Sequence, residues 1–181
     1  MKIGICVGHS RRGDSGATSK WGESEHSYNS KVADALHDEL EKRGIPSFVI
    51  KSYDAGGYSA GIRDCAKQLR DGGATHAVEL HFNAATGKAQ GAEWLHWHSS
   101  GGGKRMCESL RRAFLTSFPM MTDRGLKPKA PGARGALFLR ATHCPAAILE
   151  PFFGDNPHDC AIFKVNEMAL AKAYANGIAN L

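Results

Sequence analysis

Hydrophobic positions along the chain follow two patterns, short apolar runs and one-sided repeats. Short runs are typical of buried strands, whereas a recurrence every three to four residues is typical of a helix packed on one side. The clearest recurrence joins Tyr28, Val32, Leu36 and Leu40. The runs predict strands at Lys2–Val7, Ile45–Ile50, Thr75–Leu80, Gly91–Trp97, Ala136–Arg140 and Ala146–Glu150. The repeats predict helices at Glu25–Arg43, Tyr58–Asp71, Gly103–Phe118 and Pro157–Leu181, with Pro119–Gly135 as a long loop.

The order of these elements predicts an α/β fold. Strands and helices that alternate in this way build a mostly parallel sheet of roughly six strands, flanked by helices. The passages after Gly91 and from Arg140 to Pro145 lack a crossover helix, so a mixed sheet is also consistent with the pattern. The length of 181 residues suits a single domain over residues 1–181.

Composition indicates an ordinary globular protein. Hydrophobic residues make up 42% of the chain and charged residues 23%, a balance that supports a packed core. No apolar run approaches the roughly 20 residues of a membrane-spanning helix, so we expect no membrane insertion. The N-terminus begins as a strand and not as a secretory signal, which predicts a cytoplasmic site of synthesis. The five scattered cysteines, without CxxC spacing, are predicted to be buried free thiols of a reducing compartment.

The charge balance favours anionic partners. The formal net charge is +5 and the pI is about 9.0, which suits nucleic acids, phosphate-rich surfaces or cell-wall polymers. The basic residues are spread out and are not interleaved with aromatic residues as in a nucleic-acid module. We therefore expect no nucleic-acid partner, and charge alone does not choose among the others.

Side chains able to bind a metal follow several of the predicted strands. His9 comes just after the first strand, His81 directly after Thr75–Leu80, and Glu150 ends the last strand. Glu25 opens the first helix, on the same side of the sheet. Ligands of such folds bind beyond the carboxyl ends of the strands, and two imidazoles with a carboxylate are the usual ligands of a catalytic zinc. Each residue alone has an ordinary structural explanation, so topology leaves a metal site and separate structural roles both open.

Three other patterns compete with this site. His96 and His98 form an H-x-H on one face of a strand, but they lie within the strand and not beyond its end. The glycine-rich segment 9–16 matches neither GxxxxGK[ST] nor GxGxxG, the two common phosphate-binding patterns. Cys144 precedes Pro145 in a short connector without an evident base that would activate a thiol nucleophile.

The same residues occur within a longer series of motifs that spans essentially the whole chain. In order, the series is Val7-Gly8-His9-Ser10, Glu25, Arg63, Leu80-His81-Phe82-Asn83-Ala84, Gly91-Ala92-Glu93, Asp123-Arg124-Gly125-Leu126-Lys127, and Pro145 to Glu150 followed by Phe152-Phe153-Gly154-Asp155-Asn156. The chain thereby resembles the zinc-dependent N-acetylmuramoyl-L-alanine amidases (amidase type 3), in their phage endolysin form. It departs from many members at Ser10, where they carry Gly, and at Pro151.

The resemblance implies an enzyme and assigns its residues. It implies a Zn²⁺ ion on His9, Glu25 and His81, with Glu150 as the catalytic carboxylate, and it puts His96 and His98 on an ordinary strand. The expected reaction is hydrolysis, by a zinc-activated water, of the amide between N-acetylmuramic acid and L-alanine in peptidoglycan. Glu150 would take the proton of the water and pass it to the leaving nitrogen.

The resemblance also implies a biological setting. A basic, single-domain amidase without a separate wall-binding domain is similar to the endolysins of phages that infect Gram-negative bacteria. Such a chain is expected to be a monomer that acts on the cell wall after release from the cytoplasm. Two alternatives stay open: another zinc hydrolase such as a stem-peptide peptidase, and a wall-binding module that has lost its activity.

A second glutamate, Glu23, competes with Glu25 as the third ligand. Glu25 lies three residues before Tyr28, which puts it on the side of the helix that packs on the sheet. Glu23 lies beside Gly22 in the approach to the helix, where nothing in the sequence fixes its direction. We expect Glu23 to face solvent or to favour the helix N-terminus through its charge.

Overall fold

Strands and helices alternate along the chain. The structure is a computed structural model that describes residues 1–10, 13–53 and 56–181. In chain order its elements are β1 (Ile3–Val7), α1 (Glu25–Glu41), β2 (Ser47–Ile50), α2 (Tyr58–Asp71), β3 (His76–Leu80), β4 (Ala92–Trp97), α3 (Gly101–Ser117), β5 (Asp123–Lys129), α4 (Ala136–Ala141), β6 (Ala146–Glu150), α5 (Pro157–Phe163) and α6 (Glu167–Ala179).

The six strands form one sheet in the order β2-β1-β3-β6-β4-β5. Neighbours among the first four strands run parallel. β4 runs antiparallel to β6, and β5 runs parallel to β4. The predicted α/β fold with a mostly parallel six-stranded sheet is therefore confirmed, and one antiparallel pair makes the sheet mixed.

Helices cover both faces of the sheet. On one face, α1, α3 and α6 pack around Tyr28, Phe114 and Tyr174, which are fully buried. On the other face, α2 and α4 bury Leu69 and Phe138. Because both faces are covered, β1 is buried at every position and not at every second one. This burial explains why the central strands appear in the sequence as continuous apolar runs.

The predicted long loop at Pro119–Gly135 is wrong in its middle part. Asp123–Lys129 forms β5, which pairs with β4 and lies at the edge of the sheet. An edge strand is exposed along one side, so it needs few apolar residues, and charged residues and proline are common there. The polar sequence of β5 therefore lacked the pattern of a buried strand.

The predicted strand at Ala136–Arg140 is also wrong, because these residues lie in α4. A short apolar run fits a buried strand and a buried helix equally well. Here α4 is a short helix of 6 residues, and its Phe138 and Leu139 pack against α2 and the sheet. Gly135 precedes the helix with a φ of 82°, in the left-handed region that turns the chain into α4.

The single helix predicted at Pro157–Leu181 is in fact two helices, α5 and α6. Val165 lies between them and is 76% exposed, so it does not continue the buried repeat. Phe163 at the end of α5 stacks on Phe152 with 4.7 Å between ring centroids. α6 instead packs on α1 and α3. The chain has to change direction between the two helices to make both contacts.

Two further observations concern the chain as a whole. All five cysteines are free thiols, as the sequence predicts, and every one except the half-buried Cys144 is buried. No helix within the described residues has both the length and the apolar character to cross a membrane.

Candidate metal centre and catalytic cleft

The ends of three neighbouring strands meet at one edge of the sheet. The strand register sets Val7 beside Leu80, and Leu80 beside Leu149. The residues that follow them, His9, His81 and Glu150, therefore emerge at the same edge, as the predicted topology requires.

Glu25 reaches this edge from the start of α1. Ser24 caps the helix, and its side chain accepts a hydrogen bond from the Ser27 amide. The Glu25 side chain is buried and accepts hydrogen bonds from the backbone amides of Ala17 and Phe82, both at 3.1 Å. These contacts hold the carboxylate in one direction, toward the two histidines.

His9, Glu25 and His81 form a compact group of metal-binding atoms. His9 Nε2 lies 3.3 Å from Glu25 Oε2, and His81 Nδ1 lies 2.8 Å from Glu25 Oε1. One potential ligand atom from each residue lies within 4.8 Å of the other two. Among the residues that the structure describes, this is the one group of three or more such side chains. Two imidazoles and a carboxylate match the donor set of catalytic zinc sites.

The outer nitrogen of each imidazole contacts a further carboxylate. His9 Nδ1 lies 2.9 Å from Asp14 Oδ1, and His81 Nε2 lies 3.3 Å from Glu79 Oε2. A neutral imidazole that donates its N–H outward keeps the lone pair of the other nitrogen for a metal. Neither carboxylate was singled out from the sequence. For Glu79 a signal did exist, because a charged residue inside an apolar strand, two positions before His81, shares the face of that histidine.

The backbone around the group is tightly constrained. His9 has a φ of 58°, a left-handed conformation that is uncommon for a residue other than glycine. A Cβ atom on Gly8 would lie 2.2 Å from the His81 ring. Gly16 has a φ of 70°, and a Cβ there would lie 2.7 Å from Glu25. Strained backbone of this kind concentrates at functional sites.

The charges of the group favour a bound cation. Burial alone would lower the pKa of His81, but its hydrogen bonds to Glu25 and Glu79 raise that pKa well above the ordinary value. Burial would raise the pKa of Glu25, but its hydrogen bonds to both imidazoles lower the pKa below the usual range. Protons on the imidazoles thus balance the surrounding carboxylates, and a metal cation suits the same environment.

Glu150 lies beside the group at the end of β6. Burial raises its pKa to about 7; the positive charge of His81 opposes this shift and the negative charge of Glu25 adds to it. Its Oε2 atom is sealed from solvent and has no hydrogen-bond partner among the described residues. A carboxyl with a pKa near neutrality is suited to accept and donate protons during a reaction.

A cleft of about 240 Å³ opens over these residues. Its lining includes His9, His81 and Glu150 from the strand ends. It also includes Tyr58, Lys129 and Arg134. The arrangement combines a candidate metal centre, a proton-transfer group and room for a substrate.

Comparison with known proteins identifies the family. The sequence profile of N-acetylmuramoyl-L-alanine amidase matches residues 3–180. The chain belongs to the N-acetylmuramoyl-L-alanine amidase family. The match and the related structures support hydrolysis of an amide bond in peptidoglycan as the activity of the chain. A search of curated proteins finds no significant match.

Solved structures of similar fold cover almost the whole chain. The N-acetylmuramoyl-L-alanine amidase AmiC2 of Nostoc punctiforme is 20% identical, with a TM-score of 0.83 over 99% of this chain and 96% of that one. The N-acetylmuramoyl-L-alanine amidase from Clostridium difficile 630 is 22% identical, with a TM-score of 0.84 over 99% and 95%. The catalytic domain of the CD27L endolysin, which targets Clostridium difficile, is 25% identical, with a TM-score of 0.84 over 99% and 97%.

Other motifs that this amidase-family chain shares lie around the cleft or at its rim. Glu93 pairs with Glu150 across β4 and β6. Arg124 donates a hydrogen bond of 2.7 Å to Glu93, and its guanidinium lies 5.1 Å from the centre of the Phe153 ring. Arg63 lies on the exposed side of α2. The structure therefore brings Glu93 and Arg124 near the site but not Arg63.

Within the part of the chain that the structure describes, His96, His98 and Cys144 do not form a second metal centre. His96 is buried in β4 with its Nδ1 2.9 Å from the Trp97 carbonyl oxygen, whereas His98 is exposed. Burial raises the pKa of Cys144 to about 11, so its side chain is a thiol and not a thiolate at neutral pH. Within segment 9–16, Arg11 and Arg12 lie outside the described residues.

Glu23 is held away from the candidate metal centre. Lys31 Nζ lies 2.7 Å from its Oε1, and the Ser27 hydroxyl and the Trp21 indole N–H also donate to its carboxylate. The expectation that nothing fixes its direction is therefore wrong, because three side chains do so. The geometry favours Glu25 over Glu23 as a ligand.

Proposed function

We propose that the chain hydrolyses the amide between the lactyl group of N-acetylmuramic acid and L-alanine of the stem peptide, as a zinc enzyme. His9, Glu25 and His81 are the proposed zinc ligands, and Glu150 is the proposed catalytic carboxylate. The observation that carries the proposal is the convergence of the three ligand side chains at a cleft that His9, His81 and the half-buried Glu150 line.

The residues of the cleft fit a zinc ion. Two imidazole nitrogens and one carboxylate oxygen are a common protein ligand set for catalytic zinc, and they leave further positions open. When bound, zinc supplies a Lewis acid that polarises a carbonyl group and makes water a nucleophile near neutral pH. Asp14 orients the His9 ring from outside through the 2.9 Å contact to Nδ1.

Glu150 carries the proton transfers of the reaction. In its carboxylate form it accepts a proton from the attacking water, and it then donates this proton to the amide nitrogen that leaves. The same group must be basic in one step and acidic in the next, and burial, which raises its pKa, suits it to both steps.

We also propose that the enzyme is an endolysin of a phage that infects Gram-negative bacteria. Synthesis in the cytoplasm, action on the wall after release and a monomeric state are parts of this proposal. It is supported by the order of the sequence motifs, by the net charge of +5, and by the similarity to an endolysin catalytic domain. A positive charge favours association with anionic wall polymers.

Zinc dependence is tested by the clearing of purified peptidoglycan suspensions. We expect a chelator to abolish clearing and stoichiometric zinc to restore it, with the metal content of each sample measured in parallel. Full activity of a preparation shown to be free of metal would overturn the zinc proposal. A stem-peptide peptidase would also need zinc, so the identity of the cleaved bond needs a separate product analysis.

A further inference from the structure

Glu79 is a buried carboxylate in the middle of the sheet. It lies in β3 and is 3% exposed, in a strand whose other inward positions are apolar. A carboxylate removed from water is unfavourable unless other groups pair with it. Its presence therefore requires partners, and the partners indicate what it does.

Both oxygens of Glu79 are engaged. Oε2 lies 3.3 Å from His81 Nε2, and Oε1 accepts a hydrogen bond of 3.2 Å from the Tyr53 hydroxyl. Tyr53 is itself 5% exposed. Residues two apart in a strand face the same side, so Glu79 lies directly below His81 in the sheet. Tyr53 holds the carboxylate from the other side.

The contact determines which nitrogen of His81 faces inward. Both nitrogens of His81 face a carboxylate, Nδ1 toward Glu25 and Nε2 toward Glu79, and an ionised carboxylate only accepts hydrogen bonds. A metal held between Nδ1 and Glu25 would need the lone pair of Nδ1, so the hydrogen of the neutral ring would lie on Nε2, where Glu79 accepts it. In a neutral imidazole, Nδ1 then keeps its lone pair. Nδ1 is the nitrogen that lies 2.8 Å from Glu25, inside the candidate ligand group.

We propose that Glu79, held by Tyr53, is a positioning residue that fixes His81 in its Nε2–H form and directs Nδ1 to the metal. This inference rests on the proposed zinc enzyme and adds the source of its ligand geometry. His9 presents Nε2 inward and Asp14 holds its Nδ1, so the two imidazoles present different nitrogens.

Asp14 and Glu79 are the two carboxylates that contact the imidazoles from outside the ligand group. Of these two, Glu79 is the harder to replace. The Asp14 side chain is 30% exposed, so water can reach the position beside His9. The Glu79 side chain is 4% exposed, so loss of the carboxylate removes the protein group that His81 Nε2 contacts in a place that little water reaches. A contact of this kind is also stronger away from water. Removal of Glu79 should therefore lower the affinity of the protein for zinc.

The first test measures zinc affinity by competition with a chromophoric chelator, using the full chain. Loss of an outer partner typically weakens metal binding about 10- to 100-fold, and we expect this loss in Glu79→Leu. Glu79→Gln should lose less, since an amide oxygen still accepts from Nε2–H. Tyr53→Phe should lose the least zinc affinity of the three variants. Glu23→Gln is the matched control, because Glu23 lies just before α1, close to Glu25 in sequence, and its carboxylate is held by Lys31 and Ser27. The zinc affinity of this variant should equal that of the wild type.

The second test is the nitrogen-15 NMR spectrum of the histidines in the zinc-loaded protein. We expect a protonated Nε2 and a metal-bound Nδ1 for His81 in the wild type. In Glu79→Leu the Nε2 proton should exchange faster with water, while circular dichroism shows an intact fold. If Glu79→Leu does not fold, Glu79→Gln provides the same comparison with nearly the native shape.

The outcomes separate this inference from the proposed function. A wild-type protein that binds no zinc would overturn both. A wild type that binds zinc through His81 Nε2 would overturn the role of Glu79 alone. Unchanged zinc affinity and unchanged His81 exchange in both Glu79 variants would do the same.

Discussion

Replacement of Glu150 by Gln should separate catalysis from stability. Gln has nearly the same shape as Glu but cannot accept the proton of the attacking water. Removal of a general base typically lowers turnover about 10²- to 10⁴-fold. We expect a loss in this range with zinc content unchanged, because Glu150 is not among the proposed ligands.

The stability effect follows from the pKa of Glu150. Burial raises this pKa from an ordinary value of 4.5 to about 7 in the folded protein. The folded state therefore binds the proton more tightly than the unfolded state, so ionisation of Glu150 lowers stability as the pH rises from 4.5 to 7. A difference of about 2.5 pKa units corresponds to up to about 3 kcal/mol. The Gln side chain does not ionise, so the variant does not lose this stability as the pH rises.

The assay is urea unfolding of metal-free wild type and Glu150→Gln at pH 4.5, 6 and 8. Between pH 4.5 and pH 8, we expect the free energy of unfolding of the variant to rise relative to that of the wild type by up to about 3 kcal/mol. Turnover is measured on the zinc-loaded proteins with a soluble muropeptide. A stability difference that does not change with pH, or turnover near that of the wild type, would refute the reasoning on Glu150.

Two further predictions concern the metal ligand and the basic surface. Glu25→Ala should lose most of its zinc during dialysis, whereas Glu23→Ala should keep it, as metal analysis of the two variants can show; the reverse result would reassign the ligand. Salt screens charges over a Debye length of about 8 Å at physiological strength, so rising salt should slow lysis of intact walls more than cleavage of a small soluble fragment. Equal slowing of both reactions would count against a role of the +5 charge in wall binding.

The sequence predicted those parts of the fold and site that depend on local pattern. β1, β3 and β6 are covered on both faces, so they appear as apolar runs, and their ends show where His9, His81 and Glu150 emerge. Glu25 could be chosen over Glu23 because the helical repeat fixes its side of α1.

Other parts depend on contacts that a pattern does not contain. β5 is an edge strand with polar residues, and the apolar run of α4 is too short to distinguish a strand from a helix. The Glu79–Tyr53 contact joins β3 to the segment after β2, and no pattern in either segment predicts that the two residues meet. The raised pKa of Glu150 arises from burial by the assembled fold. Site residues at strand ends are thus accessible to sequence analysis. Of the groups that orient and tune them, Glu79 left a signal as a charge inside an apolar strand, whereas its contact with Tyr53 and the raised pKa of Glu150 depend on the assembled fold.

The most direct test of the central claim is mass spectrometry of the products from a defined muropeptide. With the zinc-loaded protein we predict two products, a sugar that ends in the free lactyl carboxylate of N-acetylmuramic acid and a stem peptide with a free amino group on L-alanine. Glu150→Gln and the metal-free protein should leave the substrate intact. A product that keeps L-alanine on the sugar would contradict the account.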